Sequence, residues 1–137
     1  MTMKTRLVHV STEQSLAQRT FPGEDAPEWA PSEDEEFNGT VGLRRWDENH
    51  VMVRVRLKAS GDNHFVAVGI AAMYEVDPEA VKDLKPTGSP PKEWQKFLND
   101  RAVPELSPFL TQAVHHASAL VWPMQPILID PMSLLQR

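Results

Sequence analysis

The fold is decided by residues 50–76, which read HVMVRVRLKASGDNHFVAVGIAAMYEV. Two runs rich in β-branched residues, His50–Ser60 and His64–Val76, flank a Gly-Asp-Asn turn. Apolar and polar side chains alternate in the first run, which is typical of a strand with one buried face. The pattern predicts an antiparallel hairpin. A two-residue turn at Gly61-Asp62 would pair large apolar residues on one face, namely Leu57 with Val66, Val55 with Val68, and Val53 with Ile70.

A third strand is predicted just before this hairpin, in the run FNGTVGLRRW at Phe37–Trp46. The apolar face continues across it when three pairs form: Trp46 with His50, Leu43 with Val53, and Val41 with Val55. The run RLVHV at Arg6–Val10 is predicted as a further strand. Residues Ser11–Thr20 could continue that strand or form a short helix.

The other face of the predicted sheet carries long cations among small and aromatic residues. Arginine stems that cover alanine and glycine would make it a solvated face. A nucleic-acid surface is the alternative, but it would require more basic residues and a positive chain, whereas the net charge is −5. We therefore expect no nucleic-acid partner. The residues of this face are Arg44, Trp46, Met52, Arg54, Arg56, Lys58, Phe65, Ala67, Gly69, Ala71 and Met73.

Helical spacing follows the predicted sheet. Asp77–Pro91 contains four prolines and is predicted as a linker, and Trp94–Asn99 is predicted as a short helical turn. Glu105–Val121 has apolar residues at intervals of three and four, which predicts a helix whose regular part begins near Pro108. Two further elements are predicted beyond it, an extended stretch at Ile127–Ile129 and a short helix at Pro131–Gln136.

An acidic segment joins the first strand to the second, at about residues 20–36. Residues 24–36 hold seven acidic residues and no basic one. This composition, interrupted by prolines, predicts an extended crossover loop. Aromatic residues stand in or beside the loop at Phe21, Trp29 and Phe37. They need either a core to pack on or a partner to bind.

Length and composition limit the possible functions. The chain has 137 residues, 41% of them hydrophobic, which suits a single domain spanning residues 1–137. It has no cysteine, no signal-peptide run and no stretch long enough for a membrane span, so we expect a cytoplasmic protein. Its five histidines lack metal-binding spacing, and no nucleotide-binding or nucleophile motif is present. We expect no metal, no cofactor and no catalysis.

The order of these elements resembles the SecB family of protein-export chaperones. The resemblance rests on the first strand, the acidic loop, the meander RVRLKASGDNHFVAVGIAAMYEV and the stretch PFLTQAVHHASALVWPMQPILIDPMSLL. In that last stretch a helix opens near a proline, and Pro126–Asp130 occupies the extended slot before the terminal helix of the family. The resemblance implies an α+β fold, in which a four-stranded antiparallel sheet carries a C-terminal helix pair.

The same resemblance implies an ATP-independent holdase. Such a chaperone binds unfolded polypeptides in hydrophobic grooves, for protein export or handover, and is a homotetramer built as a dimer of dimers. Export members dock on the ATPase SecA through acidic residues of the sheet, for which Glu13 is the candidate here. Other SecB-like proteins protect the antitoxin of a toxin–antitoxin system, and this sequence fits either role.

A client-binding groove needs adaptable apolar surface, which aromatic residues and methionines supply. Two sets of residues are candidates, one in the acidic loop and one near the C-terminus: Phe21, Trp29, Phe37, Trp122, Met124, Met132, Leu134 and Leu135. Each of them could instead complete the core of the subunit. Two other functions stay open, an α+β enzyme or small-ligand binder and a protein that blocks one specific partner.

Overall fold

The computed structural model describes residues 4–32, 37–82, 84, 90–123 and 126–130. Its sheet is antiparallel and four-stranded, in the order β1-β4-β3-β2. The strands are β1 (Thr5–Arg19), β2 (Phe37–Asp47), β3 (His50–Gly61) and β4 (His64–Val76). The helices are α1 (Pro78–Val81), α2 (Lys92–Phe97), a π-helical turn (Leu98–Ala102) and α3 (Val103–Val121).

The predicted α+β class is confirmed, with a four-stranded antiparallel sheet and a C-terminal helix. The second member of the predicted helix pair, at Pro131–Gln136, lies outside the described residues. The linker predicted at Asp77–Pro91 contains the short helix α1. The turn predicted at Trp94–Asn99 lies within a helical run that begins earlier, at Lys92, and continues without a break through α3.

The predicted pairing of β2 with β3 is confirmed over the centre of the two strands. Val41 lies opposite Val55, and Leu43 lies opposite Val53. The predicted pair of Trp46 with His50 is wrong, because the register shifts after Arg45 and Asp47 faces His50 instead. Trp46 is thereby left out of the ladder, and its side chain is 61% exposed.

The predicted register of β3 against β4 is wrong by two residues. Val55 lies opposite Ile70 and Leu57 opposite Val68, while Gly61 pairs with His64. The two-residue turn is Asp62-Asn63, where Asn63 adopts a positive φ of 57° that asparagine tolerates better than most residues. Because side chains alternate along a strand, a shift of two residues keeps the same apolar face buried.

Gly61 is the residue that lets this turn close against the rest of the fold. A Cβ atom at this position would lie 2.5 Å from Cε1 of His64 and 2.8 Å from Cγ1 of Ile127. Contacts that short would force the histidine ring and the isoleucine away from the turn. Glycine therefore permits the close approach of β3, β4 and the segment around Ile127.

Residues Ser11–Thr20, for which strand and helix were both open, belong almost entirely to β1. The strand runs from Thr5 to Arg19 and pairs with β4 along its whole length. Two irregularities, at Val8 and Glu13, each add one extra residue to β1. A bulge bends and twists a strand, which suits this long edge strand to a twisted sheet.

The core lies between one face of the sheet and the helical run. Along β3, buried residues alternate with partly or fully exposed ones from Val51 to Ala59. The helices cover the apolar face with Trp94, Phe97, Leu106, Leu110 and Val114, all of which are buried. This is the apolar face that the strand pattern predicts.

The helical run accommodates two prolines by changing its hydrogen-bond pattern. Pro104 has no N–H, and in a regular α-helix its ring would clash with the carbonyl of Asp100. The π-helical turn just before it widens the backbone, and the N–H of Val103 reaches the carbonyl of Leu98. The helix α3 therefore begins at Val103, before the start predicted near Pro108, and Pro108 stands inside it.

Tyr74 is a buried side chain whose hydroxyl has no hydrogen-bond partner among the described residues. Its ring packs edge-on against Phe97, with 5.1 Å between the ring centroids. Burial raises the pKa of Tyr74 to about 12, the carboxylate of Glu105 adds to the rise, and Arg101 opposes it. The neutral phenol is therefore strongly favoured in the folded protein.

We expect the protein to lose stability between pH 10 and pH 12 because of Tyr74. The phenol ionises near 10 in the unfolded chain, so the unfolded state releases its proton first as the pH rises. The loss should reach roughly 2–3 kcal/mol by pH 12. In urea titrations, Tyr74→Phe should be at least as stable as the wild type at pH 7. Its free energy of unfolding should fall less than that of the wild type at alkaline pH. An equal alkaline loss in both proteins would contradict the assignment.

Candidate functional site

Aromatic side chains gather at the end of the sheet that carries the β3–β4 turn. The guanidinium of Arg19, the last residue of β1, lies 5.5 Å from the ring centroid of Phe21 and 4.9 Å from that of Trp122. Both distances fall within the range of cation–π attraction. Arg19 thus joins the start of the acidic loop to the residue that follows α3.

Trp122 in turn stacks on His64, the first residue of β4, with ring centroids 6.0 Å apart and planes inclined by 17°. His64 is fully buried. Its Nδ1 lies 2.9 Å from the carbonyl oxygen of Asp62, which can only accept a hydrogen bond, so Nδ1 carries a proton. The other ring nitrogen, Nε2, lies 2.6 Å from Oγ of Ser118 in α3.

Ser118 links this histidine to the C-terminal segment. Its Oγ accepts the N–H of Ile127 at 2.7 Å and donates to Nε2 when the His64 ring is neutral. A serine beside a histidine is also the pattern of a nucleophile and its base. Here both side chains are fully buried and the hydroxyl is used on both sides, so the pair holds residues 126–130 in place.

A groove of about 500 Å³ opens beside this segment. Phe37 at the start of β2 lines one side, the β3–β4 turn lines another, and residues 126–130 complete it. Leu128 on the segment is 75% exposed, while its neighbour Ile127 is buried in the core. The groove therefore lies next to apolar surface that the subunit itself leaves uncovered.

We use the term end surface for five apolar residues at this end of the molecule: Phe21, Phe37, Leu120, Trp122 and Leu128. Phe21, Leu120 and Leu128 are the most exposed of them, at 62%, 70% and 75%. Phe37 and Trp122 are half-buried, and Phe37 packs against the part of the core that contains Leu57. Exposed apolar surface of this kind is common at sites that bind a partner.

Arg19 brings two of the eight predicted groove residues together, namely Phe21 and Trp122, while Phe37 lies at the other edge of the sheet and lines the groove beside residues 126–130. Trp29 is half-buried beside a turn in which the N–H of Ala30 bonds the carbonyl of Pro27. The other four lie outside the described residues: Met124, Met132, Leu134 and Leu135. The end surface also contains two residues that were not predicted as groove residues: Leu120, which falls within the helix predicted at Glu105–Val121, and Leu128, which is one of three apolar residues in a row.

The predicted docking residue Glu13 lies in the second irregularity of β1, on the sheet face away from the helices. Its carboxylate forms an ion pair with Arg54 on β3, with 2.9 Å between Oε2 and Nε. Glu13 therefore presents a paired charge at this face.

The opposite end of the sheet, at the β2–β3 turn, is built from polar contacts. The carboxylate of Asp47 accepts the N–H of Asn49 at 3.0 Å and lies 2.8 Å from Nδ1 of His50. The hydrogen bond from Asn49, followed by that from His50, lowers the pKa of Asp47. Trp46 is exposed here, and no aromatic stacking involves it among the described residues.

The part of the chain that the structure describes contains neither a metal-binding cluster nor a membrane-spanning helix. No three histidine or acidic side chains converge there in a way that could hold a metal ion. None of the helices described is both long and apolar enough to cross a membrane.

Solved structures that resemble this fold include a SecB-like chaperone and a protein of unknown function. The SecB-like chaperone Rv1957 of Mycobacterium tuberculosis, solved in complex with a ChAD peptide from the antitoxin HigA1, matches 92% of this chain and 86% of its own, with a TM-score of 0.61 and 11% identity. A protein of unknown function from Streptococcus agalactiae matches 95% of this chain and 99% of its own, with a TM-score of 0.62 and 10% identity. No protein-family model matches the chain, and no curated protein matches its sequence. The chain has a SecB-like fold, which confirms the resemblance at the level of fold.

Proposed function

We propose that this protein is an ATP-independent holdase that binds unfolded polypeptides on its end surface. The observation that carries the proposal is the uncovered apolar cluster around Phe21 and Trp122, beside the groove at residues 126–130. The SecB-like fold supports the same conclusion. We propose that the protein acts in the cytoplasm, where its clients would await export or handover.

The cluster has the physical properties that such a site requires. Its aromatic and leucine side chains can change conformation to fit different partners, which suits a site that binds many different segments of unfolded polypeptide. Arg19, between two of the rings, adds a positive charge beside the apolar surface. The acidic loop that begins next to Phe21 adds carboxylates, so segments that combine apolar and basic residues should bind best. Their binding should weaken as the salt concentration rises, because salt screens these charges.

We propose a homotetramer, a dimer of dimers, as the active assembly. Phe109 on α3 is 43% exposed, and Val8 and Leu16 on the edge strand β1 are 48% and 40% exposed. A long edge strand with exposed apolar residues is a template for pairing with another chain. Pairing through β1 and packing through α3 would cover both sets of residues.

Protection of an antitoxin is the second candidate function. The Mycobacterium tuberculosis protein with this fold was solved with an antitoxin peptide bound. A dedicated client of that kind would use the same end surface as a general one. Binding of a single antitoxin, without suppression of aggregation in unrelated unfolded proteins, would favour this alternative.

Replacing both Phe21 and Leu120 with serine should weaken client binding by roughly tenfold or more. Each side chain would contribute roughly 1 kcal/mol by partial burial against the client, and 1.4 kcal/mol corresponds to a tenfold change. Because both side chains are exposed, the melting temperature should stay within a few degrees of the wild type. The measurement is light scattering of a chemically denatured, aggregating protein at equimolar chaperone without nucleotide.

Trp46→Ser is the matched control, since Trp46 is as exposed as Phe21 but lies at the opposite end of the sheet. It should suppress aggregation as well as the wild type does. Equal losses in the control and in the double variant would place client binding elsewhere on the molecule. A wild type that fails to suppress aggregation at all would overturn the holdase proposal.

A further inference from the structure

The sheet face that turns away from the helices has an excess of positive charge. Two of its acidic residues are already paired: Glu13 with Arg54 at 2.9 Å, and Glu75 with Arg6 at 3.1 Å. Three other cations on this face form no ion pair with any described residue, although all three are exposed. We use the term cationic face for these three, Arg44, Arg56 and Lys58.

Small residues on β4 explain how these cations are presented. Arg56 stands opposite Gly69 and Lys58 opposite Ala67, on the face that the described helices leave uncovered. A Cβ atom built on Gly69 would lie 3.6 Å from Cγ of Arg56, so the arginine stem crosses the glycine. Ala67 is only 5% exposed. The apolar stems thus lie along the sheet, and the charged ends are left at its surface.

The spacing of the charges fits an extended chain. Arg56 and Lys58 are two residues apart on one strand, and alternate residues on a strand are separated by roughly 6.5–7 Å. Carboxylates at alternate positions of an extended peptide have the same separation. Half-buried apolar side chains lie on the same face between and beside the cations, at Met52, Phe65 and Met73. Such a surface suits a chain that carries both carboxylates and apolar residues.

We propose that the cationic face docks an acidic, extended polypeptide segment of a partner protein. A polypeptide fits better than a nucleic acid, because three cations mixed with apolar side chains are few for a phosphate backbone and the chain as a whole is negative, at −5. The surface is separate from the end surface, and the proposal does not depend on holdase activity.

The experiment uses the full chain and a fluorescein-labelled twelve-residue peptide with glutamate at alternate positions and serine or leucine between them. We expect fluorescence anisotropy to show binding that weakens as salt rises from 50 to 300 mM. A variant carrying Arg56→Glu and Lys58→Glu should bind the peptide at least tenfold more weakly. A second variant, Arg56→Gln and Lys58→Gln, keeps long stems over Gly69 and Ala67. Its affinity for the peptide should be several-fold lower than that of the wild type.

The matched control is Lys92→Glu with Lys96→Glu, which changes the net charge equally on exposed positions of α2. It should bind the peptide within about twofold of the wild type. If both charge-reversed variants bound the peptide equally weakly, binding would depend only on net charge, and the proposal would be overturned. Absence of peptide binding by the wild type at low salt, or tighter binding of a single-stranded oligonucleotide of the same charge, would also overturn it. Circular dichroism should first show that each variant is folded, and only then is its peptide binding compared with that of the wild type.

Discussion

Val55→Asp should leave the chain largely unfolded at neutral pH. Val55 is fully buried at the centre of the sheet, between Val41 on β2 and Ile70 on β4, and it faces the core beneath the helices. A carboxylate placed there would lose its hydration without a partner, at a cost on the order of 4–5 kcal/mol or more. The whole folding free energy of a domain is roughly 5–15 kcal/mol, so little stability would be left.

Arg56→Asp is the control for this prediction. It introduces the same side chain one residue further along β3, but on the exposed face. Its effect on stability should stay below about 1 kcal/mol. Urea titration followed by circular dichroism measures both variants, and sedimentation equilibrium shows whether either one changes the assembly. Similar losses in the two variants would contradict the assignment of one face of β3 to the core and the other to solvent.

The two strand registers show what the sequence could decide and what it could not. Matching large apolar residues across β2 and β3 found the observed pairing, because a one-residue error would have turned every valine to solvent. Across β3 and β4 the same criterion could not separate two registers that differ by two residues, since both bury the same face. The choice depended on the turn, where Asn63 takes the positive φ and Gly61 stays in the strand.

Strand β1 was harder to predict because its pattern is disturbed. The stretch from Ser11 to Arg19 is mostly polar, and the bulges at Val8 and Glu13 each reverse the alternation of faces. The alternation of apolar and polar residues that is typical of a strand is therefore recognisable only in the first few residues of β1. Pairing with β4, which is buried on nearly every residue, determines the rest of the strand.

The candidate site was predictable only in part, because its supports come from distant parts of the chain. Exposed aromatics in an acidic loop pointed to Phe21 and Phe37. Trp122 stacks on His64, and the N–H of Ile127 donates to Ser118. The hydrogen bond between His64 and Ser118 joins these supports, although the two residues are 54 positions apart. Neither residue stands in a motif, and a histidine near a turn is usually solvated. Burial of His64 becomes visible only when the C-terminal segment packs across the β3–β4 turn.

His64→Ala should destabilise the protein by roughly 3–5 kcal/mol and loosen the end surface. The change removes a fully buried ring, which leaves a cavity, and takes partners from Ser118 and from the carbonyl of Asp62. Trp122 loses the ring on which it stacks, and Ser118 no longer holds Ile127 in the same geometry. Tryptophan fluorescence should therefore shift to longer wavelength, and client binding should weaken in the fraction that stays folded.

Two further variants separate this role from a general effect of losing a histidine. His50→Ala removes a half-buried ring from the opposite turn, where its Nδ1 pairs with the exposed carboxylate of Asp47, and should cost less than about 1 kcal/mol. Ser118→Ala keeps the ring but leaves the N–H of Ile127 and Nε2 of His64 unpaired, so its cost should be roughly 1–3 kcal/mol. The expected order of stability loss is thus His64→Ala, then Ser118→Ala, then His50→Ala. If His64→Ala and His50→Ala lost equal stability, the buried network would not be what holds residues 126–130 beside the groove, and the end surface would need another support.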